Sequence, residues 1–336
     1  MKDWFILSEK ERQDIINQVA RVSGLPSAAV EKDLWVMVAL NAVFNTEYAD
    51  KIVFKGGTSL SKGWDLIERF SEDIDLGIDR TQFTDEQVET KKHVTRLRKA
   101  ACKFVSEEFP DKVKKQLELL GVETPEITVQ DFRDSDTDPL AIKLNYKSIV
   151  EKNPYLKPQV LIEVSARSLR DPNEQRSLVS MIGKEYPDEK FSDKAVDIPT
   201  VLPSRTFLEK IFLLHEIFQK DGKITGERMS RHLYDISRLM DTDHAEIALN
   251  DKELYQTIVK HREKLNRISG VDYANHTPSK IKFIPPIEHH KEWEKDYQSM
   301  QESMIHGDSP SFNKLIQKLE GLQSRINKLP WQLKIE

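Results

Sequence analysis

A pair of adjacent glycines set between two short apolar runs constrains this chain more than any other feature. Ile52, Val53 and Phe54 read as a buried strand. Gly56 and Gly57 end it, and Thr58 is a candidate N-cap for a helix carrying Leu60, Trp64 and Ile67 at helical spacing. A second strand is expected from Asp73 to Ile78, where Ile74, Leu76 and Ile78 alternate with Asp73 and Asp75. A period of two puts both carboxylates on one face. The unit is strand, glycine turn, helix, and a strand bearing D-x-D.

Each part has a chemical reason to accompany the others. Glycines let the backbone approach a phosphate closely, and the helix that follows turns free N–H groups and its positive dipole end toward that anion. The hydroxyls of Thr58 and Ser59 can donate to the same oxygens, with Lys62 on the first turn. Two carboxylates on one strand face repel by about 4 kcal/mol at ~4 Å and an effective dielectric near 20. A divalent cation turns that repulsion into attraction, and oxygen ligands select Mg²⁺ or Mn²⁺. Taken singly, a glycine pair is a weak signal and a strand D-x-D is more often a solvated edge. Together, in this order, they suit phosphoryl or nucleotidyl transfer.

Composition narrows the setting. The 336 residues suffice for two domains and a sizeable core. A net charge of −5 argues against a basic coat for bulk nucleic-acid binding, although a local basic face remains open. Cys102 is the only cysteine, so neither an intramolecular disulfide nor a thiolate metal site can form. No apolar run reaches about 18 residues. The N-terminal MKDWFILSEKE is charged too early for a signal peptide. The expectation is a soluble cytoplasmic protein with no membrane partner.

Taken in order, Ser8 to Glu11 fits a capping box for a helix running to Val22, ahead of Gly24 and Pro26. A second helix is expected from Ser27 to Phe44, with Glu31, Lys32 and Asp33 as the solvated side of a core helix. Thr84 to Glu108 reads as a charged helix whose Lys91, Lys92, Arg96, Arg98, Lys99 and Lys103 either line an RNA groove or form a salt-bridged surface. Asp134, Asp136 and Asp138 have the spacing of a calcium loop, but Pro139 and Asn145 occupy positions that need Gly and Glu. Ile142, Leu144 and Tyr146 mark one strand. Gln159 to Ser165 marks another, with Glu163 on the same face as Leu161 in mid-strand.

Pro199 and Pro203 mark a boundary beyond which the pattern is helical, dividing the chain into domains at 1–200 and 201–336. Thr206 to Glu209 reads as a capping box, with Phe207, Ile211, Leu214 and Phe218 as the apolar stripe. Lys210 lies beside that stripe, where it either snorkels to water or reaches a phosphate. In the next helix Met229, Leu233, Ile236 and Met240 form the core face. Arg228, Arg231, His232, Asp235 and Arg238 adjoin it, with an Arg231–Asp235 ion pair expected. A Pro-rich loop from Gly270 to His290 precedes closing helices around Trp293, Tyr297 and Met300, then Phe312 to Leu329.

The G-G…D-x-D order resembles the signature of the DNA-polymerase-β-like nucleotidyltransferases. More narrowly, GGTSLSK followed by RFSEDIDL is similar to the AbiEii/AbiGii family of nucleotidyltransferase toxins, in which the long gap between Gly57 and Asp73 is normal. VEKDLWVMVAL resembles the helix before the nucleotide site in that family. TFLEKI and RHLYDISRL resemble its later motifs, from which functional roles carry over to Lys210 and Asp235. Glu163 in IEVSAR resembles the third carboxylate of the superfamily.

The resemblance implies an α+β fold, a polymerase-β-like mixed sheet with helices, followed by a helical C-terminal domain closing over the cleft. It implies Asp73, Asp75 and Glu163 as ligands of Mg²⁺ or Mn²⁺. Gly56, Gly57, Thr58, Ser59, Lys62, Ser71 and Lys210 would contact the NTP, and Lys210 and Asp235 join the catalytic group. The implied acceptor is RNA, a tRNA 3′ end, in a toxin–antitoxin or abortive-infection (antiphage) system with a partner antitoxin. Two rivals stay open: transfer to a small molecule or protein, and a GTP- or ATP-binding regulatory module that transfers nothing.

Overall fold

A computed structural model describes residues 2–122, 125–153, 156–220, 224 and 226–333. The chain divides into two compact units, one formed by 1–63 and 70–201, the other by 64–69 and 202–336.

The first unit is built on a seven-stranded mixed sheet. Its strands are β1 (Ile52–Lys55), β2 (Ile74–Ile78), β3 (Glu126–Val129), β4 (Leu140–Asn145), β5 (Gln159–Ser165), β6 (Asn173–Leu178) and β7 (Val196–Val201). They lie in the order β3-β4-β5-β2-β1-β7-β6. The pairs β1–β7 and β2–β5 are parallel and the other four antiparallel. The glycine turn therefore follows β1 and the D-x-D segment runs into β2, two paired strands in the interior of the sheet. Pro199 proves to lie inside β7. Parallel pairing with β1 is confined to Phe54 and Thr200, so a residue without an N–H is tolerated there.

Helices complete this unit. Helix α1 (Glu9–Ser23) opens with the expected capping box, Ser8 and Glu11 each bonding the other's backbone, and stops at Gly24 in the left-handed conformation. Helix α2 (Ser27–Phe44) has the expected bounds but no wet side, because Glu31, Lys32 and Asp33 are all buried. Helix α3 (Lys91–Lys103) is capped by Thr90 and continues as a wider turn over Phe104–Glu108, so residues 84–90 are not helical as expected. Lys91, Lys92, Arg96, Lys99 and Lys103 are exposed on α3. Arg98 is half-buried and pairs with Asp136 at 3.3 Å.

The second unit is helical. Helix α4 (Pro203–Ile217) starts with Pro203 in its first turn and Leu202 as its N-cap. Thr206 sits inside it and turns its hydroxyl back to the Leu202 carbonyl, so it is not the cap that its sequence suggests. Helix α5 (Ser230–Leu239) packs against α4, and α6 (His290–Ser303) and α7 (Phe312–Asn327) pack against α5. Their core contains Phe207, Ile211, Leu214, Leu233, Ile236, Trp293, Tyr297, Phe312 and Leu319. Among the described residues no helix is long and apolar enough to cross a membrane.

Candidate active site

Sheet register assembles the acidic groups. Lys55 on β1 stands opposite Asp75 on β2, and Asp75 stands opposite Glu163 on β5. Residues directly opposite on paired strands share a face. Lys55, Asp75 and Glu163 thus form one half-buried row across three adjacent strands, while Ile74, Leu76, Ile162 and Val164 are buried behind them. Asp73 lies one residue ahead of β2 and not within it as expected. The sequence did not single out Lys55; its signal is that it is the one charged residue between the apolar run and the glycine pair.

The glycine turn presses on the same row. Gly56 has φ +80°, and a Cβ placed on it would stand 2.7 Å from the Asp75 Cγ and 2.9 Å from its Cβ. Glycine is required there by backbone conformation and by space. Gly56→Ala is therefore expected to cost about 1–3 kcal/mol from the strained backbone and to push the Asp75 carboxylate aside. Transfer should fall further than the loss of folded protein explains, which thermal unfolding alongside a transfer assay will show.

The helix after the glycines is shorter than its periodicity predicts. An α turn at Gly56–Thr58 passes into a wider π-type turn at Ser59–Gly63, where helical structure ends. Asp65 follows with φ +55°, and residues 64–69 leave for the second unit. Trp64 and Ile67 consequently share no helix face with Leu60.

Lys55, and not Thr58, is the N-cap. Thr58 is fully buried; its hydroxyl donates to the Asp73 carbonyl and lies 2.8 Å from Ser71 Oγ. Ser59, equally buried, donates to the Gly56 carbonyl at 2.9 Å. Lys62 forms an ion pair with Asp33. Thr58 with Ser71, and Lys62 with Asp33, tie the turn to its surroundings, while Ser59 braces it from within.

The second unit brings Lys210 and Asp235 together. Lys210 Nζ lies 2.9 Å from Asp235 Oδ2, and Arg69 grips the same carboxylate in fork geometry at 2.7 and 2.8 Å. All three are buried, at 7%, 0% and 2% exposure. Arg69 reaches Asp235 from a distant part of the sequence and binds it in fork geometry, a partner that the intrahelical spacing did not point to. Burial raises the Asp235 pKa, but the charges of Arg69 and Lys210 overcome that and hold it well below the usual carboxylate range. Burial, together with the surplus positive charge, lowers the Lys210 ammonium from its ordinary value. Arg69 escaped the sequence reading; its signal is an arginine between Ile67 and Phe70 in a segment otherwise suited to a core.

Among the described residues no three acidic, His or Cys side chains converge on one point to enclose an ion unaided. That fits Mg²⁺, which usually takes one or two carboxylates and completes its octahedron with water and substrate phosphates. Asp75 and Glu163 supply hard oxygen donors of that kind, adjacent on the sheet, and Gly56 lacks the Cβ that would collide with the Asp75 carboxylate.

Comparison with known proteins agrees with this frame. The family model described as nucleotidyl transferase AbiEii toxin, type IV toxin–antitoxin system, matches residues 38–318. Among solved structures, MenT4, a nucleotidyltransferase toxin from Mycobacterium tuberculosis H37Rv, superposes with a TM-score of 0.51 at 14% identity, covering 94% of this chain and 90% of that one. At that identity the likeness speaks for the fold. No curated protein matches the chain by sequence.

Proposed function

Because this chain belongs to the AbiEii family of nucleotidyltransferase toxins, we propose that it transfers an NMP from an NTP to the 3′ hydroxyl of an RNA, a tRNA being the leading acceptor. The observation that carries the reading is the pairing of Asp75 with Glu163 on adjacent strands, with Gly56 packed against the Asp75 carboxylate. Membership in a type IV toxin–antitoxin family implies an NTP substrate and an antitoxin partner. Abortive infection of phage-infected cells is the biological setting proposed for that pair.

In the proposed reaction the acceptor hydroxyl attacks the α-phosphorus in line, the bond to the β-phosphate oxygen breaks, and pyrophosphate leaves while the hydroxyl proton is lost. Bound Mg²⁺ or Mn²⁺ would be held by Asp75 and Glu163, with Asp73 proposed to join them only once substrate phosphates complete the site, and would supply charge neutralisation and acidify the hydroxyl. The backbone of Gly56 and Gly57 takes the triphosphate, since the hydroxyls of Thr58 and Ser59 are spent on Asp73 and Gly56. Thr58, Ser71 and Lys62 act by holding that turn in shape. Lys210 and Asp235 are proposed as functional residues of the helical unit, with Asp235 and Arg69 fixing the Lys210 ammonium.

Incubating the protein with each α-labelled NTP, Mg²⁺ and total RNA tests this directly. Label is expected on RNA of tRNA size, and binding of that RNA should weaken steeply with salt, with a log–log slope of roughly −0.7 per phosphate contacted on a single strand. Label on a protein or small molecule, with salt-independent transfer, favours the other acceptor classes.

A further inference from the structure

Helix α2 is buried on every side yet carries three consecutive charged residues in its second turn, Glu31, Lys32 and Asp33, exposed by only 3%, 2% and 4%. Each is fully engaged. Glu31 accepts from Ser148 Oγ at 2.6 Å and from the Ile149 N–H at 2.8 Å. Lys32 pairs with the Glu72 carboxylate and donates to the Lys157 carbonyl at 3.2 Å. Asp33 pairs with Lys62 and accepts from the Met181 N–H at 2.7 Å.

Buried ion pairs of this kind gain little stability over apolar residues of the same volume, because desolvation offsets most of the attraction. What they add is direction, since an ammonium accepts partners in few places whereas apolar contacts slide. The partners here are not scattered. Lys62 closes the glycine turn, and Glu72 immediately precedes Asp73. Between them residues 64–69 depart to the second unit, so the intervening chain does not itself set the separation of its two ends. Besides the sheet register and the bond from Thr58 to the Asp73 carbonyl, the fixed spacing of two neighbouring α2 residues does so.

We propose that Lys32 and Asp33 are positioning residues that hold the glycine turn and the carboxylate strand in the separation the metal–NTP complex needs. The proposal rests on the nucleotidyltransferase reading above. Glu31 anchors the same helix to the segment after β4, which keeps α2 from rotating about its axis.

The test compares Lys32→Met with the double variant Lys32→Met/Glu72→Gln. The single change leaves a largely buried carboxylate without its ammonium and should lower the thermal midpoint; the double change removes both charges and should restore it. If the pair positions the site, stability returns and function does not. Mn²⁺ binding, followed by titration without NTP, and transfer at saturating NTP should both stay reduced by about tenfold or more in the double variant, with KM for NTP little changed. Should the double variant fail to fold, Asp33→Asn, which can keep the Met181 contact, carries the same comparison, here with KM for NTP raised. Recovery of Mn²⁺ affinity and transfer together with the midpoint overturns the positioning role. A wild-type chain that neither binds Mn²⁺ nor transfers label overturns the reading of the site beneath it.

Discussion

Nucleotidyl transfer falls by at least about a hundredfold when Asp75 becomes Asn, the scale of loss on removing a group that stabilises transition-state charge. The fold should hardly notice. Asp75 faces Lys55 on one side and Glu163 on the other, so its sheet neighbours offer one opposite charge and one like charge. Directly opposed pairs are worth about 0.2–1 kcal/mol each with opposite signs here, and the sum is close to zero. The amide is isosteric, so the fit against Gly56 is kept. Circular dichroism and thermal unfolding should match wild type while the labelled-NTP assay shows the loss. Full activity in a folded Asp75→Asn variant would remove the carboxylate row from the mechanism.

The largest effect on stability is expected at Asp235→Asn. That change strips the carboxylate that Arg69 and Lys210 share in a buried cluster. Breaking such a buried pair from one side costs about 3–5 kcal/mol, which for a unit of this size lowers the thermal midpoint by roughly 10 °C. Lys210→Met should cost much less, because Asp235 keeps the Arg69 fork. The pH dependence follows from the depressed carboxyl pKa of folded Asp235. A depressed carboxyl stabilises above its unfolded value of about 3.9 and loses that contribution as pH falls toward the folded value. The share of the gap between wild type and Asp235→Asn that this carboxylate carries should therefore be complete above about pH 5 and close below about pH 4. A gap that stays undiminished well below about pH 3 contradicts the ion cluster.

Much of this architecture was legible because local signals and tertiary needs coincide. The capping box at Ser8, the left-handed Gly24, the bounds of α2 and the alternation in β5 are each written in a few adjacent residues. The α+β class comes from the resemblance to the nucleotidyltransferase family, with which these elements agree. The edge strands β3 and β6 were not readable. Glu126–Val129 is short, and NEQRSL at Asn173–Leu178 offers no apolar alternation because one side pairs with β7 and the rest faces water. Charged residues misled in the opposite sense. Glu31, Lys32 and Asp33 look like a wet face until the complementary charges of Lys62 and Glu72, far along the chain, come to meet them. Thr58 and Thr206 likewise look like caps, but each helix starts earlier, and their hydroxyls go to the Asp73 carbonyl and to the preceding turn at Leu202. A motif's chemistry can be read from spacing; which end of a side chain is already taken depends on contacts that spacing does not contain.

The excursion of residues 64–69 into the second unit makes the two bodies interdependent in a way their boundary near residue 201 conceals. The chain passes between them three times, after 63, after 69 and after 201, so neither is a detachable module. A fragment beginning at residue 202 contains Lys210 and Asp235 but not Arg69, and its buried carboxylate is left with the weaker half of its counter-charge. Conversely, melting of the helical unit frees Arg69 and lets go of the chain one residue beyond Gly63, at the end of the glycine turn. Because of these three crossings the sheet and the helical unit are expected to unfold together, in one cooperative transition.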